Sequence, residues 1–548
     1  MTRRLWFRVV ATAGVTALSV GVAWPAAAGK RRQMKKVLAN TFTPSGQCLA
    51  CHNGMTTVNG DDVSIGVDWR SSMMANAARD PYWQAAVRRE TIEHPPASAA
   101  IQDECSKCHM PMARYLAHVA GQRGQVFANL PIGQALPPNA ALAADGVSCS
   151  VCHQIADQKL GSRESFVGGF VIDTTRGRGA RQVYGPYDVD RGRTRVMRSS
   201  SGFLPTRGEH MQAAELCATC HTLYTHSLDA DGQVVGELAE QVPYLEWKHS
   251  EYAVTQSCQA CHLPPLPSPT PISSVLPLPR EQMSPHVFRG GNFFVSGVFN
   301  RYRQELGVTA LPAELSSTAR RSTEQLQRRT AQLALSAVRA ESDELQVSVR
   351  VDNLAGHKLP TAYPSRRVWV HLTVTDASGK IAFESGRLTR QGSIVGNDND
   401  LDPTLFEPHY TVIDRPDQVQ IYEPILGDSE GRVTTGLLTA THYLKDNRIL
   451  PRGFDRETAP EDIAVAGAAR QDADFSGGAD EIRYVVDVGG FRAPFTATAE
   501  LWYQPIGYRW AHNLEVFDAP EPQRFVRYYQ SMSDTSAVRI AVSLARTR

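Results

Sequence analysis

The ten cysteines of this chain fall into five pairs, all with the same spacing and the same following residue. The stretches are Cys48-Leu-Ala-Cys51-His52, Cys105-Ser-Lys-Cys108-His109, Cys149-Ser-Val-Cys152-His153, Cys217-Ala-Thr-Cys220-His221 and Cys258-Gln-Ala-Cys261-His262. On a short helical turn residues i and i+3 point the same way. Two thiols so placed can meet the two vinyl groups on one haem edge while the next histidine ligates the iron. Structural zinc would draw four thiolates from paired CxxC units, and a thioredoxin-like redox site needs a single CxxC in a βαβ setting. Neither calls for a histidine after every pair. The pattern predicts five covalent c-type haems, with His52, His109, His153, His221 and His262 as proximal ligands and no cysteine left for disulfides.

A haem that only passes electrons takes a second strong ligand, usually His or Met, so that its iron is six-coordinate. Of the sixteen histidines, His94, His118, His210, His226, His249 and His286 lie within or just after the cysteine-bearing region. His118 follows His109 too closely to reach the same iron without an unusual loop, so it is expected to serve a neighbouring haem. His210 precedes Cys217 at a similar remove. In "WRSSMMANAARDPYW" the pair Met73-Met74 offers a thioether ligand that would raise its haem's potential, or else packs as core methionine.

The segment "SMMANAARDPYW" is similar to the SxHA-type segment of multihaem cytochromes related to cytochrome c554, with Met74 where histidine often stands. "EHMQAAELCATCHTL" and "SPHVFRGGNFF" resemble segments of the same family, which implies His210 and His286 as distal ligands. "NLAGHKLPTAYPSRR" resembles a GHxxPT segment of multihaem cytochromes that carry a C-terminal β-sandwich. On that resemblance His357 caps a haem from outside; on the residues alone it is equally a loop histidine bonded to backbone.

The elements that hold these residues divide the chain into a mainly helical and loop multihaem region, residues 29–300, a linking helix within 301–332 and an all-β antiparallel sandwich, 333–548. With one haem motif every few dozen residues, the porphyrins themselves are expected to supply the apolar interior of the first region. Residues 173–210 carry eight arginines among glycines and serines, and two readings stand: pairing with haem propionates, or a solvated basic loop. Residues 263–280 hold seven prolines and form a stiff connector or wrapping arm. "PAELSSTARRSTEQLQRRTA" opens on Pro312 with Glu314 in its first turn and predicts a helix. Beyond it, Leu345, Val347, Val349, Val351 and Val368, Val370, Leu372, Val374 alternate with polar residues, as half-buried strands do. Further strands are expected in "GKIAFESG", "QVQIYEPIL", "EIRYVVDVG", "FTATAELWYQPI" and "AVRIAVSLA".

Residues 1–28 carry Arg3, Arg4 and Arg8, a fifteen-residue apolar run and Ala26-Ala27-Ala28, the pattern of a cleaved secretory signal peptide. The run is shorter than the roughly 20 residues that span a bilayer, and no later stretch reaches that length. Export to the periplasm or cell envelope, with no transmembrane segment in the mature chain, is the expectation. The formal net charge of +1 in 548 residues argues against nucleic-acid binding.

Several haems in one exported chain suit electron transfer between a redox protein donor and acceptor. A second reading is an oxidoreductase acting on a small nitrogen or sulfur compound at one open haem. All five motifs end in histidine, unlike the CxxCK that resembles the catalytic motif of ammonia-forming nitrite reductases, which weighs against it. A third reading makes the sandwich a docking module in a membrane-associated redox complex.

Overall fold

The computed structural model describes residues 41–134, 137–339 and 343–547. The leader expected at residues 1–28 lies outside them. Among the described residues no helix is long and apolar enough to cross a membrane.

The first half is built from short helices joined by loops, the longest being Pro81–Glu93 and Ser98–His109. Asp80 caps the first of these, its carboxylate accepting from the Tyr82 and Trp83 amides, with Pro81 at the first helical position. Hydrophobic clusters here are small, such as Phe42, Met112, Val151 and Ile172. The region also holds strands that the sequence did not announce. Leu223–Leu228 pairs antiparallel with Val234–Gln241 across a turn closed by Gly232 at φ 76°. Arg181–Gly185 pairs in parallel with Phe203–Arg207.

The helix Pro312–Arg329 forms where expected, with Glu314 accepting from the Leu311 amide at 2.9 Å. It packs on Ile65–Arg70 through an Arg321–Asp68 ion pair at 3.1 Å and a Ser71–Thr318 hydroxyl contact at 2.7 Å.

The second half holds two larger sheets. One orders the strands Ile381–Ser385, Arg367–Thr375, Thr496–Gln504 and Val538–Arg546, with Ile421–Tyr422 added to Arg367–Thr375. The other orders Val412–Ile413, Ala479–Asp487, Glu344–Asn353 and Ala331–Arg339. Register sets Val347 against Tyr484 and Val349 against Ile482 in one, and Val370 against Leu501 and Leu372 against Ala499 in the other. These residues are fully buried in one shared cluster, so the alternation read from sequence marks the faces that meet.

Two features depart from an all-β antiparallel reading. Val412–Ile413 joins its sheet in parallel. A helix, Pro520–Met532, sits between the last two long strands, because Phe525, Tyr528 and Tyr529 share one face at helical spacing. That face packs against Pro81–Glu93, with Tyr82 and Phe525 ring centroids 5.0 Å apart and Arg88 bound to Glu521 at 2.8 Å. Each such buried aromatic contributes about 2–3 kcal/mol. The two halves of the chain are thereby locked together.

Candidate haem attachment sites

All five cysteine pairs sit on short helices or at helix ends. In the first, third and fourth motifs the histidine amide returns to the first cysteine's carbonyl, at 3.0, 3.0 and 2.9 Å. In the second and fifth the whole motif lies inside Ser98–His109 and Cys258–His262. The turn that brings i and i+3 to one side is therefore closed at every site, and all ten thiols are free.

Four of the five motif histidines are oriented by backbone carbonyls. His52 Nδ1 donates to Ile272 O at 2.6 Å, His109 to Ala77 O at 2.9 Å, His153 to Tyr184 O at 2.6 Å, and His262 to Arg289 O. A carbonyl only accepts, so Nδ1 carries the proton and Nε2 keeps its lone pair for a metal. Burial pushes the His109 pKa down to about 4, which keeps the ring neutral. His221, although its surface is exposed, is pushed to about 4 by the protein packed around it, then by His262 and by Arg366. The Pro-rich arm is the wrapping element: after the fifth motif it runs back to the first, where Ile272 holds His52 and the Ser274 amide meets Cys51 O at 2.9 Å.

Two motif rings face a second histidine. His153 and His286 have centroids 6.2 Å apart and planes 22° from parallel; His262 and His357 stand at 6.3 Å and 20°. These separations are too long for stacking. Two imidazoles on opposite sides of one ion, with metal–nitrogen bonds of about 2.0–2.1 Å, place their centroids about 6.3 Å apart. Among the described residues the Nε2 atoms of His153, His262 and His357 have no hydrogen-bond partner, and Nδ1 of His286 is buried without one. Arg289, whose carbonyl holds His262, keeps a buried and unpartnered Nε–H, as does Arg280. Paired imidazoles with free ring nitrogens, and arginines short of an acceptor, fit an iron porphyrin bearing carboxylates. Burial lowers the pKa of His357, and burial with the nearby His153 pushes His286 to about 3.

The other sequence candidates are placed differently. His94 is buried with Nδ1 3.3 Å from Asp229 O and Nε2 3.4 Å from Thr439 Oγ1, so both nitrogens are engaged. His210 gives its Nε2 proton to Ile155 O at 2.9 Å and lies edge-on to Tyr184. His249 spends Nε2 on Asp455 O, and His226 is exposed beside Glu237. Met74 is half-buried, and its carbonyl accepts from Val147, two residues before Cys149. His118 is exposed in the last turn of Pro111–Val119. No second imidazole is paired with His52, His109 or His221 among the described residues. His109 instead stacks on Trp83, centroids 4.2 Å apart and planes parallel within 1°.

The motifs gather into one connected group. The Cys48 and Cys149 side chains lie close enough to act on one another, as do Cys108 with Cys220 and Cys217 with Cys258. Cys152 lies close enough to Cys217 and Cys220 to act on both electrostatically. The first motif thus adjoins the third, the third neighbours the fourth, and the fourth adjoins the second and fifth.

The cluster of metal-ligand type among the described residues contains no cysteine: it is His409, Asp472 and Asp480, buried in the second half. Gln420 and Asn447 both turn their NH2 groups to His409 Nδ1, at 2.9 and 3.1 Å, because their oxygens accept from the Tyr410 and Glu423 amides. Nδ1 must accept, so Nε2 is protonated and donates to Asp472 at 2.9 Å, leaving no lone pair for a metal. Burial pushes Asp480 up to about 7 from an ordinary 3.8. A carboxyl raised on folding binds its proton more tightly in the native state, so its contribution is fully present below about pH 4 and is lost as pH rises through about 7. Asp480→Asn mimics the protonated form. Its unfolding free energy should match the parent at pH 4 and exceed it at pH 8, by on the order of a few kcal/mol; equal free energies at both pH values would show that Asp480 titrates normally.

A solved cytochrome shares this fold. The crystal structure of a penta-heme cytochrome c552 from Thermochromatium tepidum matches with a TM-score of 0.52, over 92% of this chain and 99% of that one, at 16% sequence identity. The likeness covers the sheets of the second half as well as the motif-bearing first half. No family model and no curated protein matches the chain.

Sequence reasoning missed the carbonyls of Ala77, Tyr184, Ile272 and Arg289, since any residue type supplies a carbonyl. It also missed Trp83, which was visible only as one aromatic in an Ala-rich helical stretch.

Proposed function

We propose that the chain is an exported pentahaem c-type cytochrome that carries electrons between redox proteins of the cell envelope. The single observation that carries the reading is the set of five closed CxxCH turns with a free Nε2 on every motif histidine, two of them facing a second imidazole at metal-bridging distance. Bound haem c supplies one-electron exchange between ferric and ferrous iron. The protein's part is to fix each ring by a carbonyl, to keep it neutral by burial, and to hold adjoining attachment sites in contact so that electrons pass along them. In this reading His286 and His357 are the distal ligands of the third and fifth haems, and Met74, His118 and, through its Nδ1 alone, His210 are candidates for the others. Residues 29–300 are the haem region, 301–332 the linking helix and 333–548 a β-sandwich domain that supplies His357. The cytochrome c552 likeness supports a multihaem architecture of this kind.

The test is a haem-to-protein ratio by pyridine haemochrome on the full-length exported product. Five haems per chain are expected, and Cys217→Ala/Cys220→Ala should leave four. A ratio below five in the unaltered protein refutes the reading.

The unpaired state of His52, His109 and His221 supports a second reading, an oxidoreductase acting on a small nitrogen or sulfur compound at an open haem. Carbon monoxide added to the reduced protein separates the two: a Soret shift from one-fifth or more of the haem favours an open site, and no shift favours a carrier.

A further inference from the structure

The arginine-rich stretch after the third motif forms a helix, Arg191–Ser201, capped by Asp190 and burying none of its residues. Part of its neighbourhood is neutralised: Asp173 pairs with Arg176 at 3.0 Å, Asp190 with Arg193 at 2.5 Å, and Asp188 and Glu209 with Arg207 at 2.9 and 3.7 Å. Arg178, Arg191, Arg195 and Arg198 are exposed and have no carboxylate partner among the described residues.

This surplus of positive charge lies at one end of the connected motifs. The helix packs on Phe203–Arg207, whose partner strand Arg181–Gly185 supplies the Tyr184 carbonyl to His153. On its other side Arg193 donates to Leu276 O at 2.8 Å and Pro277 O at 3.4 Å. That clamps it to the arm whose Ile272 and Ser274 hold His52 and Cys51. Along this seam Val196, Val275, Leu276 and Leu278 are 40, 41, 51 and 39% exposed. The seam therefore adjoins the first and third motifs, whose Cys48 and Cys149 side chains lie close enough to act on one another.

We propose that this seam is the electron port of the protein, a docking surface for an acidic redox protein with an apolar face around its redox group. The inference rests on the haem reading above. A small apolar centre lets two redox sites approach through dry contact, while a charged rim steers encounter without tight binding, as transient redox complexes require. Four unmatched arginines select a partner of opposite charge.

The experiment is anaerobic stopped-flow reduction of the holoprotein by flavodoxin hydroquinone, an acidic protein donor. The second-order rate should rise as ionic strength falls. Arg191→Glu/Arg195→Glu/Arg198→Glu should slow the low-salt rate by about tenfold or more, with reduction by dithionite and the haem count unchanged. A salt-independent rate, or a variant as fast as the parent, overturns the port. So does a variant whose haem potentials shift while its flavodoxin rate holds, which would assign the arginines to propionates. Loss of binding to phosphatidylglycerol vesicles without loss of flavodoxin rate would overturn it in favour of a membrane surface. A haem count below five in the parent defeats the haem reading instead, so the two failures are distinguishable.

Discussion

Replacing His286 by alanine converts one haem of the five from low spin to high spin in the EPR spectrum of the oxidised holoprotein. The expectation follows from the 6.2 Å separation of the His153 and His286 rings, from the Nε2 that His153 leaves free and from the buried, unpartnered Nδ1 of His286. An imidazole already committed to protein partners would not behave this way. His94→Ala, which removes a ring held at both nitrogens by Asp229 and Thr439, should leave the haem signals unchanged. His357→Ala should convert a different haem, and the double variant two. If His286→Ala keeps all its low-spin intensity, or His94→Ala loses some, the free-nitrogen criterion is wrong.

The second large effect concerns stability at the junction of the two halves. Lys358, next to His357, donates through Nζ to Asp446 at 2.7 Å and through its amide to Glu246 at 3.1 Å. Arg448 completes the ring, 2.8 Å from Asp446 and 2.9 Å from Glu246, and all four side chains are at most 4% exposed. Two acids and two bases cancel in charge, which is what makes their joint burial tolerable. Burial pushes Asp446 up, but Arg448 and then Lys358 together hold it well below the usual carboxylate range. An acid depressed on folding stabilises above its unfolded pKa, near 3.8, and that contribution is lost as pH falls below it.

Removing one member leaves an unpaired buried charge. Asp446→Ala should cost about 3–5 kcal/mol in chemical denaturation at pH 7. A loss under 1 kcal/mol would mean that water enters and screens the ring. Because Glu246 belongs to the motif-bearing half while Lys358, Asp446 and Arg448 do not, the network also sets the loop that presents His357. Glu246→Gln should therefore raise the same high-spin signal that His357→Ala produces, in part of the molecules. A fully low-spin spectrum would show that the loop is held by its other contacts.

How much of this was legible follows from the range over which each interaction acts. The alternation of Leu345, Val347, Val349 and Val351 needed only local periodicity, and the strands lie where the pattern set them. The helix Pro520–Met532 carries an equally local signal in Phe525, Tyr528 and Tyr529, but it stood among strands and was absorbed into an all-β expectation. The histidines were harder. His94 and His286 both stand near haem motifs, and residue type and position do not separate a ring held by Asp229 and Thr439 from one left facing His153.

The sequence by itself determined the covalent chemistry proposed for this protein. Two thiols three residues apart with a following histidine close one helical turn, and that turn is set by neighbours in the chain whatever surrounds it. Only the tertiary structure decided which second histidine faces which motif, which carbonyl fixes each ring, and that the first motif meets the third and the fourth meets the second and fifth. Those contacts join residues far apart along the chain. The path of the Pro-rich arm, the clamp of Arg193 on Leu276 and the buried ring around Lys358 determine them, and local spacing carries no record of any of the three.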